Sequence, residues 1–126
     1  MVTVDSIPLR LLIRLFCLLK KQLGWLVPDW LRSPWHTHLG DAREILHRLA
    51  VQLRHISIFI HYSLHACDHV MWKFKTIYPH LQTGGLLLAD DALWNEAFND
   101  FLREVNVNAF KAQILRGVGF LRKSAN

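Results

Sequence analysis

Cysteine is scarce in this chain. Only Cys17 and Cys67 occur among its 126 residues, too few for a disulfide framework. Both read as small buried apolar residues of a reducing compartment. Long basic runs are missing as well. The net charge of +5 comes from 15 Lys and Arg against 10 Asp and Glu. It reads as a solvated surface, not a nucleic-acid footprint. There is no helix-turn-helix, zinc-finger or RNA-platform motif, no P-loop and no G-x-S-x-G elbow. Those absences set aside the usual nucleic-acid modules, P-loop nucleotide hydrolases and serine hydrolases of the elbow type. Repeats and low-complexity segments are also absent.

No apolar run is long enough to span a bilayer, which takes about 20 residues. The one targeting candidate is Leu9–Leu19 (LRLLIRLFCLL). Arg10 and Arg14 interrupt it, Lys20 and Lys21 end it, and no small-residue cleavage site follows. Arg10, Arg14 and Lys21 fall within about 40° of one another on a helical wheel. The first reading is a helix packed on a sheet, opened by Pro8; the second is a membrane-surface helix. Missing export signals imply a cytoplasmic location.

What the chain does have is hydrophobic content, 52%, and a regular alternation of patterns that fits one α/β domain. Val2–Val4 reads as a strand ending at Asp5. Gly24 to Pro34 reads as a loop, so residues 1–35 form a divergent helix-and-loop lead. Trp35–Leu39 alternates weakly as a strand. Asp41 and Glu44 fit a capping box, ahead of an apolar stripe at Ile45, Leu46, Leu49 and Leu53. Ile56–His61 is an apolar strand. A helix is expected near Asp68–Leu81, buried through Val70, Phe74, Ile77 and Leu81 and closed by positive φ at Gly84 or Gly85. Leu86–Ala89 reads as a strand buried on both faces. Asn95–Val105 reads as a helix with Phe98, Phe101, Leu102 and Val105 inward, and the tail Phe110–Lys123 as two short strands around Arg116–Gly117. A parallel sheet with an antiparallel hairpin at its edge follows.

The chemistry gathers where strands end. In a parallel sheet, ligands bind at the carboxyl ends of strands. Ile56–His61 and Leu86–Ala89 would bring His61, Tyr62, His65, Asp90 and Asp91 to one edge. Asp90 and Asp91 can hold a hard divalent cation, orient a ligand hydroxyl or satisfy loop amides. His65 reads as a general base or ligand contact. His65 and His69 are four apart, yet Ala66-Cys67-Asp68 replaces the glutamate of H-E-x-x-H, so a zincin site is not expected. Asp41 can cap its helix or touch a ligand, and Asp5 stands where ribose-binding acids often do. Trp94 lies beside the acidic pair; the other tryptophans read as core and loop anchors. Cys67 has no catalytic dyad.

These residues resemble a class I S-adenosylmethionine-dependent methyltransferase, in the group related to cephalosporin hydroxylase-like and catechol O-methyltransferase-like proteins. Leu39–Leu46 (LGDAREIL) resembles the end of the family's third strand and its helix. Ile58–His65 (IFIHYSLH) resembles the fourth-strand motif, usually I-H-D-S-L-H-like. Tyr78–Asp91 (YPHLQTGGLLLADD) resembles the L-x-P-G-G turn and fifth strand. The likeness covers most of residues 36–123. It implies a Rossmann-like sheet, S-adenosylmethionine as cofactor and a small-molecule acceptor. Asp5, Asp41 and His61 would then lie on the cofactor side, with His65 and Asp91 by the acceptor. A metal such as Mg2+ would sit on Asp90 and Asp91. Two departures stand out. Tyr62 takes the place of the family's usual acid. The glycine-rich loop after the first strand is missing, which implies an N-terminally truncated sheet lacking that strand. A homo-oligomer or a partner chain could complete such a sheet. The rival class is a non-catalytic interaction module, pairing through the open sheet or the basic helix.

Overall fold

The computed structural model of the chain describes residues 25, 27–106 and 112–125 in full, and residues 2–5 as backbone. The Leu9–Leu19 helix, Cys17, Phe110 and the side chain of Asp5 lie outside the described residues. The chain forms two compact units, Met1–Ile45 and Leu46–Asn126.

In the first unit, β1 (Val2–Asp5) pairs in parallel with β2 (His36–Leu39), and Asp5 is level with Leu39. A one-turn helix, α1 (Asp29–Arg32), lies within the segment expected as loop. Its Arg32 Nε reaches Asp29 at 3.2 Å and donates to the Val27 carbonyl at 3.0 Å. Helix α2 (Ala42–Leu53) begins here. The Asp41 carboxylate accepts the Arg43 N–H at 2.8 Å, satisfying a donor that the first helical turn leaves unpaired. The apolar stripe holds at Leu46 and Leu49, which are buried, while Ile45 is half-buried and Leu53 exposed.

The second unit carries a four-stranded mixed sheet in the order β3-β4-β6-β5. Its strands are β3 (Ile56–His61), β4 (Leu81–Ala89), β5 (Ala112–Leu115) and β6 (Val118–Arg122). The β3–β4 pair is parallel, and β6 runs antiparallel to both β4 and β5. The expected tail hairpin is thus present, with β6 rather than β5 joining it to the sheet. Helices α3 (Cys67–Ile77) and α4 (Ala97–Glu104) supply the core against β4 and β6. Phe74, Phe98, Phe101, Leu87 and Leu121 are sealed from solvent. The ring of Phe74 lies 6.2 Å from Phe98, edge to face, and 5.3 Å from Phe101, tilted, geometries that suit aromatic quadrupoles.

Three expectations are corrected. The helix ends at Ile77, not Leu81: a 3-10 turn, Tyr78–His80, follows, and Pro79 offers no N–H to prolong an α-helix. Gly84, at φ 81°, lies inside β4 rather than at the helix end. There it serves a bulge, because β4 pairs Leu81 with Ile56 and then resumes at Leu86 with Ile58. The neighbouring Gly85 faces the Gln82 carbonyl so closely that a Cβ would sit 2.8 Å away. Second, β4 is fully buried on one face only, since Leu86 and Leu88 are half-buried. Third, Cys67 is exposed, not a core residue. No described helix is long and apolar enough to cross a membrane.

Candidate functional site

The parallel pairing of β3 and β4 sets His61 opposite Ala89. The Asp90 N–H extends the ladder by donating to the His61 carbonyl at 3.0 Å. Both strands therefore stop at one level, and the loops that leave them diverge over a small polar cavity. His61, His65, Asp90, Asp91 and Asn95 line it, with Val70, Phe74 and Phe98 as its apolar floor. The enclosed space is about 10 Å³, room for one water-sized guest.

His65 Nε2 lies 3.6 Å from Asp91 Oδ2. Among the described residues, ligand atoms of His65, Asp90 and Asp91 lie within 4.8 Å of one another. The His65 ring stacks on Trp94, centroids 5.8 Å apart and planes 20° apart. Its carbonyl accepts a hydrogen bond from Asn95 Nδ2, and Asn95 Oδ1 accepts the Ala97 N–H at 2.9 Å. Asn95 thus ties the loop after β3 to the start of α4. Asp91 is held at φ 49°, a left-handed conformation that aspartate tolerates at some cost.

His61 is only 2% exposed. Neither of its ring nitrogens has a hydrogen-bond partner among the described residues. Its ring meets His65 edge-on at 5.5 Å and Phe74 at 5.8 Å. Burial, then the charge of Lys73, then His65 and His69, lower its pKa from 6.5 to about 4. The imidazole is neutral at physiological pH. Lys73 is itself buried on α3 and donates to the Ser63 hydroxyl.

The structure brings together four of the predicted site residues: His61, His65, Asp90 and Asp91. Asp41 belongs to the first unit, on the turn after β2, where its carboxylate is engaged as a helix cap. The backbone of Asp5 ends β1 at the level of Leu39, the last residue of β2. Tyr62 is 79% exposed. His65 and His69 do not share a helical face, because α3 starts only at Cys67. Sequence reasoning missed Asn95 as a clamp and Lys73 as a buried neighbour of the site. An asparagine just ahead of a helix is a cap signal that could have marked the first. A lysine one turn before Ile77 gave no such sign.

No protein-family model matches this sequence, and no curated protein matches it. Solved structures do. One is the MycE methyltransferase of the mycinamycin biosynthetic pathway in complex with Mg, SAH and mycinamycin VI. It matches with a TM-score of 0.54 and 21% identity, over 71% of this chain and 32% of that one. Two crystal forms of MycE with Mg and SAH match with a TM-score of 0.60 and 16% identity. They cover 98% of this chain and 37% or 36% of theirs. This chain therefore spans about a third of the length of the structures it matches. The likeness establishes the fold: a Rossmann-like α/β arrangement of the class I methyltransferase type, with a mixed sheet.

Proposed function

We propose that this chain carries the acceptor side of an S-adenosylmethionine-dependent methyltransferase acting on a small molecule. The observation that carries the reading is the meeting of His61, His65, Asp90 and Asp91 at the ends of two parallel strands. Active sites of open α/β sheets sit there, and the fold matched is a methyltransferase's. In the reaction, a nucleophilic oxygen or nitrogen of the acceptor attacks the sulfonium methyl carbon. The carbon–sulfur bond breaks with its electron pair left on sulfur, giving S-adenosylhomocysteine. The acceptor's proton passes to the Asp91 carboxylate, whose side chain is half-exposed and can release it to solvent. His65, stacked on Trp94 and held by Asn95, orients that carboxylate and the acceptor. The contribution is mostly alignment. For Asp5, Asp41 and His61, each taken singly, the family resemblance implies a role on the cofactor side. The subgroup, cephalosporin hydroxylase-like or catechol O-methyltransferase-like, and a cytoplasmic setting belong to the same reading.

Magnesium fits these donors poorly. It asks for near-octahedral oxygen ligation. The cluster offers two carboxylates beside an imidazole, and position 62 carries a tyrosine where the resemblance implies an acid. The transfer described above does not pass through that ion.

Calorimetric titration of the folded chain with S-adenosylhomocysteine tests the reading. Micromolar binding, weakened by Asp41→Ala, is the expected result. A chain folded by circular dichroism that binds none would overturn it for these 126 residues. That outcome favours the second reading, an interaction module. Its supporting observation is that β3 is an edge strand among the described residues of its sheet, with Ile58 56% and Ile60 63% exposed.

A further inference from the structure

We infer that segment 25–32 docks this chain on an anionic lipid surface, with Trp25, Trp30 and Leu31 as the side chains that enter the headgroup region. The inference stands apart from methyl transfer, since none of these residues belongs to the site described above.

Three observations carry it. The first is exposure. A helix ordinarily buries its apolar side chains against another element, yet no residue of α1 is buried. Trp30 is 77% exposed, and Trp25 and Leu31 are exposed close to it in sequence. Single apolar residues in solvent are ordinary, whereas a group of them marks a contact surface. Tryptophan in particular collects where one side is apolar and the other wet, as at a bilayer surface.

The second is charge, which selects the occupant. Arg10, Arg14, Lys20, Lys21 and Arg32 fall between residues 6 and 40, and Asp29 is the one acid there. Most of the net charge of +5 thus belongs to the sequence around these tryptophans. Asp29 is answered by Arg32 at 3.2 Å, so the excess comes from the four basic residues upstream. Apolar side chains with basic neighbours favour anionic headgroups. A stable protein interface takes about 800 Å² from each partner, more than one exposed turn offers. A fluid bilayer asks for no matching shape.

The third is the fixed shape of the turn. The Leu31 N–H donates to the Pro28 carbonyl at 2.9 Å, and the Trp35 N–H to the Arg32 carbonyl at 3.1 Å. Arg32 Nε closes the front of the turn on the Val27 carbonyl at 3.0 Å. Trp30 and Leu31 are thus carried on an ordered backbone, which lowers the entropy lost on docking.

The test sediments the 126-residue chain with vesicles of phosphatidylcholine, alone or mixed with phosphatidylserine. The expected result is binding to the mixed vesicles at least about tenfold tighter than to the neutral ones, weakening as salt is added. Trp30→Ala with Leu31→Ala should weaken mixed-vesicle binding by about tenfold or more through the apolar area lost. Circular dichroism should not change, because both side chains are exposed. Lys20→Gln with Lys21→Gln should reduce the preference for phosphatidylserine. Brominated acyl chains should quench the tryptophan emission, and Trp30→Phe should remove much of that quenching. Mixed vesicles that bind no better than neutral ones would overturn the inference. Binding unmoved by the Trp30 and Leu31 double variant would overturn it as well. So would self-association without lipid that this double variant abolishes, because the surface would then serve a contact between proteins.

Discussion

The backbone N–H of Asp90 donates to the carbonyl of His61 at 3.0 Å, one rung beyond the last residue of β4. A main-chain bond thereby sets the spacing between the buried imidazole and the first carboxylate. Side-chain substitutions in the loops leave that spacing intact, because the ladder does not depend on them. Substitutions at His65 or Asp91 leave this rung of the ladder in place, so the strand ends serve as a fixed frame.

Asp91 sits at φ 49°, where a residue with a Cβ is strained by about 1 kcal/mol. Asp91→Gly should therefore raise stability by up to about 1 kcal/mol. The same change, like Asp91→Ala, should abolish methyl transfer if the carboxylate takes the acceptor's proton. Urea unfolding checks the first statement and a transfer assay the second. A glycine variant less stable than the native chain would mean that the carboxylate stabilises the fold more than the turn strains it.

His61 makes stability depend on pH in a defined window. The unfolded chain takes a proton on this residue below about 6.5, the folded chain only below about 4. The unfolded state binds more protons in between, so its contribution is fully present above about 6.5. It is lost as pH falls from there to about 4, and constant below. The loss is on the order of 3 kcal/mol, from the pKa difference. Lys73 and His69 from α3 and His65 from the loop are the groups that face it. Unfolding curves at a series of pH values, with chelator present, should show this slope. His61→Gln should flatten it, and an unchanged slope would assign the effect to other groups.

Gly119 lets β6 lie against α4. A Cβ on Gly119 would stand 2.8 Å from two ring atoms of Phe98, which is buried and cannot swing away. Gly119→Ala should cost about 1–3 kcal/mol through overpacking. Adding Phe98→Leu should recover part of that loss in a double-mutant cycle. Strict additivity would show that the two do not share the space.

The edge of β3 exposes Ile58 and Ile60. Open apolar edges pair with other chains. Ile58→Lys with Ile60→Lys should lower concentration-dependent association in sedimentation velocity while circular dichroism stays native. Association unaffected by the charges would place the contact elsewhere.

Much of the second unit was legible from residue patterns. The runs Ile56–His61 and Leu86–Ala89, the stripe Val70–Phe74–Ile77 and the phenylalanines of α4 carry their periods openly. Burial then follows, because each apolar face has one sheet to cover. The convergence of His65 with Asp90 and Asp91 was legible only because parallel strands deliver their ends together. What the pattern concealed was longer-range. Nothing in QTGG says that β4 bulges against Ile56 and Ile58, since a register shift is a relation between two strands. Nor does a lysine at position 73 announce burial, because its partner Ser63 lies across a loop.

The place of β6 in the sheet has a consequence for synthesis. β4 has β3 beside it as soon as residues 56–89 are made, yet its other neighbour is drawn from Val118–Arg122. Until those residues leave the ribosome, Leu86–Ala89 presents a second unpaired edge beside an unfinished core. The order of translation and the order of the sheet are therefore at odds, and this unit completes its fold late. A stop codon or frameshift between positions 96 and 118 would release a chain with every candidate site residue present and its strand left uncovered. Such a product belongs to the quality-control proteases, not to the pool of weakened enzymes.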